Sequence, residues 1–318
     1  EDYSESVFWY KKSAEQGQAE AQTSLAWMYE NGKGIEIDNE QSVYWYKKAA
    51  ERGDTNAQLK LGIIYKNGSD TAEDYTQSFY WYKKVADQGD AGAQLNVGIM
   101  YEYGKGVGQD YSQAAFWYKK AAEQGQSEAQ ANLGWFYSNG KGVELDYTKA
   151  IEWYKKAAEH GNTSAQLSLG EIYKNGKGIP EDYTQAFYWY KKVAEQGDAS
   201  AQYNLGFMYE YGKGAAEDYT QAVHWYKKAA EQGDTQAQLN IALMYKYGTG
   251  VSEDYSQAVY WYKKAAEQGD TKAQLNLSAM YNAGEGVPEN YILAYKWSNL
   301  AAARGSEQAR DLKNELRK

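Results

Sequence analysis

Apolar and polar positions recur along the chain with a period of 36 residues. Trp9, Trp45, Trp81, Trp117, Trp153, Trp189, Trp225, Trp261 and Trp297 mark the period without an insertion or deletion between them. A fixed period of this size is the signature of a repeat architecture. Glu253–Pro288 (EDYSQAVYWYKKAAEQGDTKAQLNLSAMYNAGEGVP) serves as the reference unit, and its residues define positions 1 to 36. At 100° per residue, positions 3, 6, 7, 9, 10, 13 and 14 share one helix face. In the reference unit they are Tyr, Ala, Val, Trp, Tyr, Ala and Ala, which predicts a first helix over positions 2–16 with that face in the core. Asp at 2 with Gln at 5, as in Asp74 and Gln77, Asp182 and Gln185, or Asp254 and Gln257, has capping-box spacing. Lys at 11 and 12 suits the negative end of the helix dipole. Glycine at 17, from Gly17 to Gly305, is the residue expected to end the helix in a left-handed conformation. A second helix is predicted over positions 18–31, burying Ala at 21, Leu at 25, Met or Ile at 28 and Tyr at 29. Gly62, Gly98, Gly134, Gly170 and Gly206 at position 26 are expected to admit a neighbouring backbone.

One such hairpin leaves apolar surface uncovered, so copies must stack on each other. The predicted fold class is all-α, an α-α superhelix (solenoid) of 36-residue helical hairpins. No linker interrupts the period, and the two prolines, Pro180 and Pro288, both stand at position 36 just before a helix. A single solenoid domain over 1–318 is expected. Residues 1–17 would form the outer helix of a partial first repeat, 18–305 eight repeats, and 306–318 a charged C-terminal capping helix.

Composition narrows the chemistry. With no cysteine, disulfides, thiolate metal sites, iron–sulfur clusters and a cysteine nucleophile are excluded. His160 at position 16 and His224 at position 8 are not equivalent, so no repeated imidazole pair exists; no metal, cofactor or catalytic residue is expected. A formal charge of -9 argues against a nucleic-acid partner, which demands a basic surface. No stretch approaches the roughly 18 apolar residues of a membrane span, so no membrane insertion is expected. The Gly-Lys-Gly loops, such as Gly104–Gly106 and Gly140–Gly142, follow a helix, whereas a phosphate-binding loop precedes one, so they read as turns. The five methionines, Met28, Met100, Met208, Met244 and Met280, all occupy position 28 and read as core.

Within Ala129–Gly161 the chain reads Ala-Gln-x-x-Leu-Gly-x-x-Tyr-x-x-Gly-x-Gly-Val, then Asp-Tyr-x-x-Ala-x-x-Trp-Tyr-x-Lys-Ala-Ala-x-x-Gly. This run resembles the Sel1-like repeat, a relative of the tetratricopeptide repeat. The match extends over nearly the whole chain, with departures at Ser69 and Asp70, at Ala215, and at Ser298-Asn299-Leu300. The resemblance implies a bacterial-type binding scaffold, with the second helices lining a concave face and the Trp-bearing helices outside. It implies adaptor roles in signalling, surface and host-interaction complexes. The disulfide that many secreted members carry in each repeat is impossible here.

Positions that agree between copies build the stack, and positions that differ are free for another use. Positions 20, 23, 27, 30 and 31, spaced by three and four, lie on one face of the second helix opposite its core face, and positions 20, 27, 30 and 31 differ from copy to copy. Trp27, Ile63, Ile99, Trp135, Phe207 and Leu243 at 27, with Tyr203 at 23 and Tyr103, Tyr211 and Tyr247 at 31, have the composition of interface anchors. They are the candidate partner-binding residues of a non-enzymatic protein–protein interaction scaffold. The expected partner is a protein or peptide: a basic toxin, an effector or a host protein. The alternative for position 27 is packing against the next unit. A rival row at position 8 (Phe8, Tyr44, Tyr80, Phe116, Tyr188, Tyr260) would suit carbohydrate or cell-wall binding, or simply hold the Lys four residues on. A β-lactamase-like activity, reported for disulfide-bearing relatives, is the third alternative. Glu1 is not a native translation start, so upstream sequence is expected to have been removed; a periplasmic or secreted location is favoured over a cytoplasmic one.

Overall fold

The computed structural model describes residues 3–68 and 74–316. Ser69 and Asp70, and the last two residues of the predicted capping helix, lie outside the described residues. Eighteen helices and no strand occur among the described residues, in a helical solenoid of hairpins. The chain forms two compact units. Residues 1–165 hold α1 (Tyr3–Glu15), α2 (Ala19–Asn31), α3 (Asn39–Glu51), α4 (Thr55–Asn67), α5 (Tyr75–Asp87), α6 (Ala91–Tyr103), α7 (Tyr111–Glu123), α8 (Ser127–Asn139) and α9 (Tyr147–Glu159). The helix α10 (Thr163–Asn175) runs across the division. Residues 166–318 hold α11 (Tyr183–Glu195), α12 (Ala199–Glu210), α13 (Tyr219–Glu231), α14 (Thr235–Tyr247), α15 (Tyr255–Glu267), α16 (Thr271–Ala283), α17 (Tyr291–Ala303) and α18 (Glu307–Glu315). Within each unit every helix packs on the next in sequence.

Most helices occupy positions 3–15 and 19–31, and the Asp residues before many of them are caps, whereas Gln18 and Gln126 before α2 and α8 make no side-chain cap bond. Asp110, Asp146 and Asp254 side chains accept from backbone N–H groups of the first turn, including that of position 5. The reciprocal half of the capping box is replaced: the backbone N–H of Asp110 donates to the Tyr101 carbonyl at 2.9 Å, and that of Asp254 to Tyr245 at 2.9 Å. This ties each first helix to the end of the helix before it. Asp90, Asp198 and Asp234 cap the second helices in the same way.

The core is built from the fixed positions. Alanines at 13 and 14, such as Ala121, Ala122, Ala229 and Ala230, are buried and let helix axes close on one another, while all five methionines fill the space between them. Small residues at position 26 admit a ring rather than a backbone: a methyl added at Gly98 would stand 2.7 Å from Tyr118 of the next repeat. Where Ser278 replaces glycine, the next repeat carries Ser298 in place of tyrosine, and both are fully buried. The loop glycines are structural, as expected. Gly106 has φ +72°, and a side chain there would collide with the Tyr75 carbonyl at the start of the same repeat.

A ladder of glutamines joins hairpins and repeats. At position 22, Gln58, Gln94, Gln202 and Gln238 are buried, and their Nε2 groups donate to Ala50, Ala86, Ala194 and Ala230 carbonyls at 2.9–3.2 Å. Their Oε1 atoms accept from Gln88, Gln124, Gln232 and Gln268, at position 16 of the following repeat, at 2.8–3.2 Å. Each buried amide thus satisfies both its groups while crossing a joint.

Candidate functional site

The second helices present position 27 to solvent. Trp27 is 40% exposed, Ile63 44% and Trp135 42%. Ile99, Phe207 and Leu243 are half-buried, packed along the edges of core clusters. At position 31, Tyr103, Tyr211 and Tyr247 are more than half exposed. Phe207 and Tyr211 lie together, with ring centroids 4.6 Å apart.

Positions 23 and 30 of that face are not free, whereas Glu20, Asn56, Glu128, Ser200, Gln236 and Lys272 at position 20 are exposed. At position 23, Leu95, Ala131 and Leu239 are buried, and Tyr203 lies half-buried 5.7 Å from the Tyr226 ring of the next repeat. Tyr203 therefore belongs to the joint between repeats more than to the open surface. Position 30 is also committed to the joint: Tyr46 donates to Glu30 at 2.8 Å, Tyr226 to Glu210 at 2.6 Å, and Tyr118 to Glu102. Burial, followed by the adjacent carboxylate, raises the hydroxyls of Tyr118 and Tyr226 far above the usual phenol range. Lys66 and Lys174 at the same position instead reach Asn96 and Asn204 of the following repeat, at 3.0 and 2.8 Å. Variation at position 30 thus exchanges one inter-repeat bond for another. Sequence reasoning missed this; the one available signal was that position 24, which meets position 30, changes from Asn to Lys at Lys60, opposite Glu30.

Three predicted residues come together. Ile99, Tyr103 and Trp135 line a cleft of about 530 Å³ between consecutive repeats, with Glu102, Tyr118 and Glu128 also in its walls. Trp27 lines a separate, wider cleft with Tyr46 and Lys60. Ile63, Phe207, Tyr211, Leu243 and Tyr247 are not brought to the Trp135 cleft.

The outer row at position 8 is exposed, and its rings already have partners. Each stacks edge-on against the following Trp, as Tyr80 does on Trp81 at 4.8 Å and Phe116 on Trp117 at 5.2 Å. The lysine four residues on lies over the ring, 4.7 Å from its centre at Tyr80 and 4.8 Å at Phe116 and Tyr188. This is the local cation–π contact the spacing allows.

Among the described residues no cluster of three His, Asp or Glu side chains is arranged to hold a metal ion, and no helix is long and apolar enough to cross a membrane. The Ser-x-x-Lys spacing of serine β-lactamases occurs once, at Ser138 and Lys141, but at a helix C-terminus. There the Ser138 hydroxyl donates to the Trp135 carbonyl at 3.0 Å, and the Lys141 ammonium sits 4.9 Å over the Tyr111 ring.

The Sel1 repeat model matches nine consecutive segments, 1–18, 19–54, 55–90, 91–126, 127–162, 163–198, 199–234, 235–270 and 271–306. The chain belongs to the Sel1 repeat family. Each complete Sel1 segment begins with a second helix and ends with the first helix of the next hairpin, so the bonds of Tyr46 to Glu30 and of Tyr226 to Glu210 fall inside single segments. A Sel1 repeat protein from Oxalobacter formigenes is 34% identical, with a TM-score of 0.76 over 96% of this chain and 89% of that one. The c5321 protein, described as a protective antigen present in uropathogenic Escherichia coli strains displaying an SLR fold, is 35% identical. Its match has a TM-score of 0.57 over 99% of this chain and 76% of that one. No curated protein matches this Sel1 chain. Sel1 repeats are commonly protein–protein interaction scaffolds.

Proposed function

We propose that this Sel1 chain is a non-enzymatic scaffold that takes a protein or peptide segment along the face of its second helices. The observation that carries the reading is the cleft in which Ile99 and Tyr103 of one repeat face Trp135 of the next. Aromatic residues beside a concavity are the side chains that dominate binding energies at interfaces. Helices held by the glutamine ladder present them in a preformed arrangement, which lowers the ordering cost of association. The charge of -9 favours a basic partner by steering the encounter. A basic toxin, an effector or a host protein fits that description, and the likeness to a protective antigen of uropathogenic strains supports a host-facing one.

The reading is tested by selecting random peptides on the intact chain and measuring the recovered binders by calorimetry. Trp135→Ala and Tyr103→Ala, both in the cleft, are expected to weaken binding by about tenfold or more, with helicity unchanged by circular dichroism. Tyr260→Ala, in the outer row, is expected to leave binding intact. Binders lost with Tyr260→Ala and indifferent to both groove variants would transfer the function to the outer row.

A further inference from the structure

At three joints position 30 of one second helix bonds to position 24 of the next. In this scheme the chain supplies its own cations. Lys60, at position 24, places its ammonium 3.0 and 3.1 Å from the two oxygens of Glu30. Lys66 and Lys174, at position 30, bond to the asparagines opposite them.

The joint between α6 and α8 departs from the scheme. Position 30 is Glu102 and position 20 is Glu128, and no other joint carries a carboxylate at both. Position 24 is Asn132, so the place that Lys60 fills beside Glu30 holds no cation. No Lys or Arg lines this cleft. Glu102 is held by the Tyr118 hydroxyl, yet a carboxylate offers about four acceptor sites. Glu128 has no ion-pair partner among the described residues. Trp135 and Tyr103 stand beside these carboxylates, partly exposed.

We infer that the cleft between α6 and α8 is a seat for an arginine side chain of a peptide partner, its guanidinium lying against Trp135 and Tyr103 and bonded to Glu102 and Glu128. Arginine fits better than lysine. Its planar group stacks on aromatic faces and offers a fork of donors to two carboxylates, and it is more weakly hydrated than an ammonium. The cleft, at about 530 Å³, accommodates one such side chain with its peptide backbone outside. This inference rests on the proposed peptide-binding role, but its test needs no partner.

The test titrates N-acetyl-argininamide into the intact protein and follows the Trp135 indole N–H resonance, assigned with Trp135→Phe. Saturable movement of that resonance is expected, with affinity reduced roughly fivefold or more by Glu128→Gln. The neutral isostere N-acetyl-citrullinamide is expected to produce none. Equal response to the citrulline compound, equal or stronger response to N-acetyl-lysinamide, or no movement at Trp135 would each overturn the arginine seat. Those results would leave peptide capture elsewhere on the face standing, whereas failure of the peptide selection would leave this titration unchanged.

Discussion

His160 stands where most repeats have glutamine, and the buried Oε1 of Gln130, thirty residues earlier, is left without a hydrogen-bond donor. The His160 ring instead bonds through Nδ1 to the Lys156 carbonyl of its own helix at 2.9 Å. The pattern is general: Gln22 and Gln274 also have unpartnered Oε1 atoms, and the residues facing them are Arg52 and Arg304. The ladder is therefore interrupted wherever position 16 is not glutamine.

An unsatisfied buried acceptor costs about 1–3 kcal/mol. His160→Gln restores the bond that Gln124 makes to Gln94 at 2.8 Å. It is expected to raise the stability of the repeats around Gln130 by about 1 kcal/mol. Urea unfolding followed by circular dichroism measures the effect, and an unchanged or lower midpoint would show that the Gln130 oxygen is already satisfied.

Gly106 and Gly108 lie two residues apart in one loop and make a controlled pair. Gly106 has φ +72° and no room for a methyl against the Tyr75 carbonyl, whereas Gly108 has open space around it. Gly106→Ala is expected to cost about 2 kcal/mol or more, from left-handed strain and displacement of the loop. Gly108→Ala is expected to be near neutral. Matching thermal midpoints for the two variants would contradict the close approach.

Alkaline pH should loosen the stack. Burial raises the Tyr82 hydroxyl from its ordinary 10.0 to about 12, and raises those of Tyr46, Tyr118 and Tyr226 further. The unfolded chain ionises at the ordinary value while the folded chain resists. Each tyrosine therefore contributes stability that is complete below pH 10 and lost as pH rises through the folded value. The urea midpoint is expected to fall between about pH 10 and 12, and less steeply in Tyr82→Phe. A midpoint that holds steady across this range would mean that these hydroxyls titrate as in the unfolded chain.

The period, the helices and their caps were legible in the chain because each depends on residues a few positions apart. An apolar face at 100° per residue, Asp before a first turn and Gly after a last one are local signals, and the observed hairpin helices α2 to α17 begin and end within one residue of the expected positions, while α18 ends at Glu315. The exposure of Trp27, Ile63 and Trp135 likewise follows from helix geometry opposite a fixed core face. Which residues of that face remain open was decided elsewhere. Tyr203 turns to Tyr226, Glu102 is taken by Tyr118, and Gln130 finds no partner in His160. These outcomes depend on the offset between one hairpin and the next. Packing of bulky against small side chains, as of Tyr118 on Gly98, sets that offset, and the periodicity of a single helix carries no record of it.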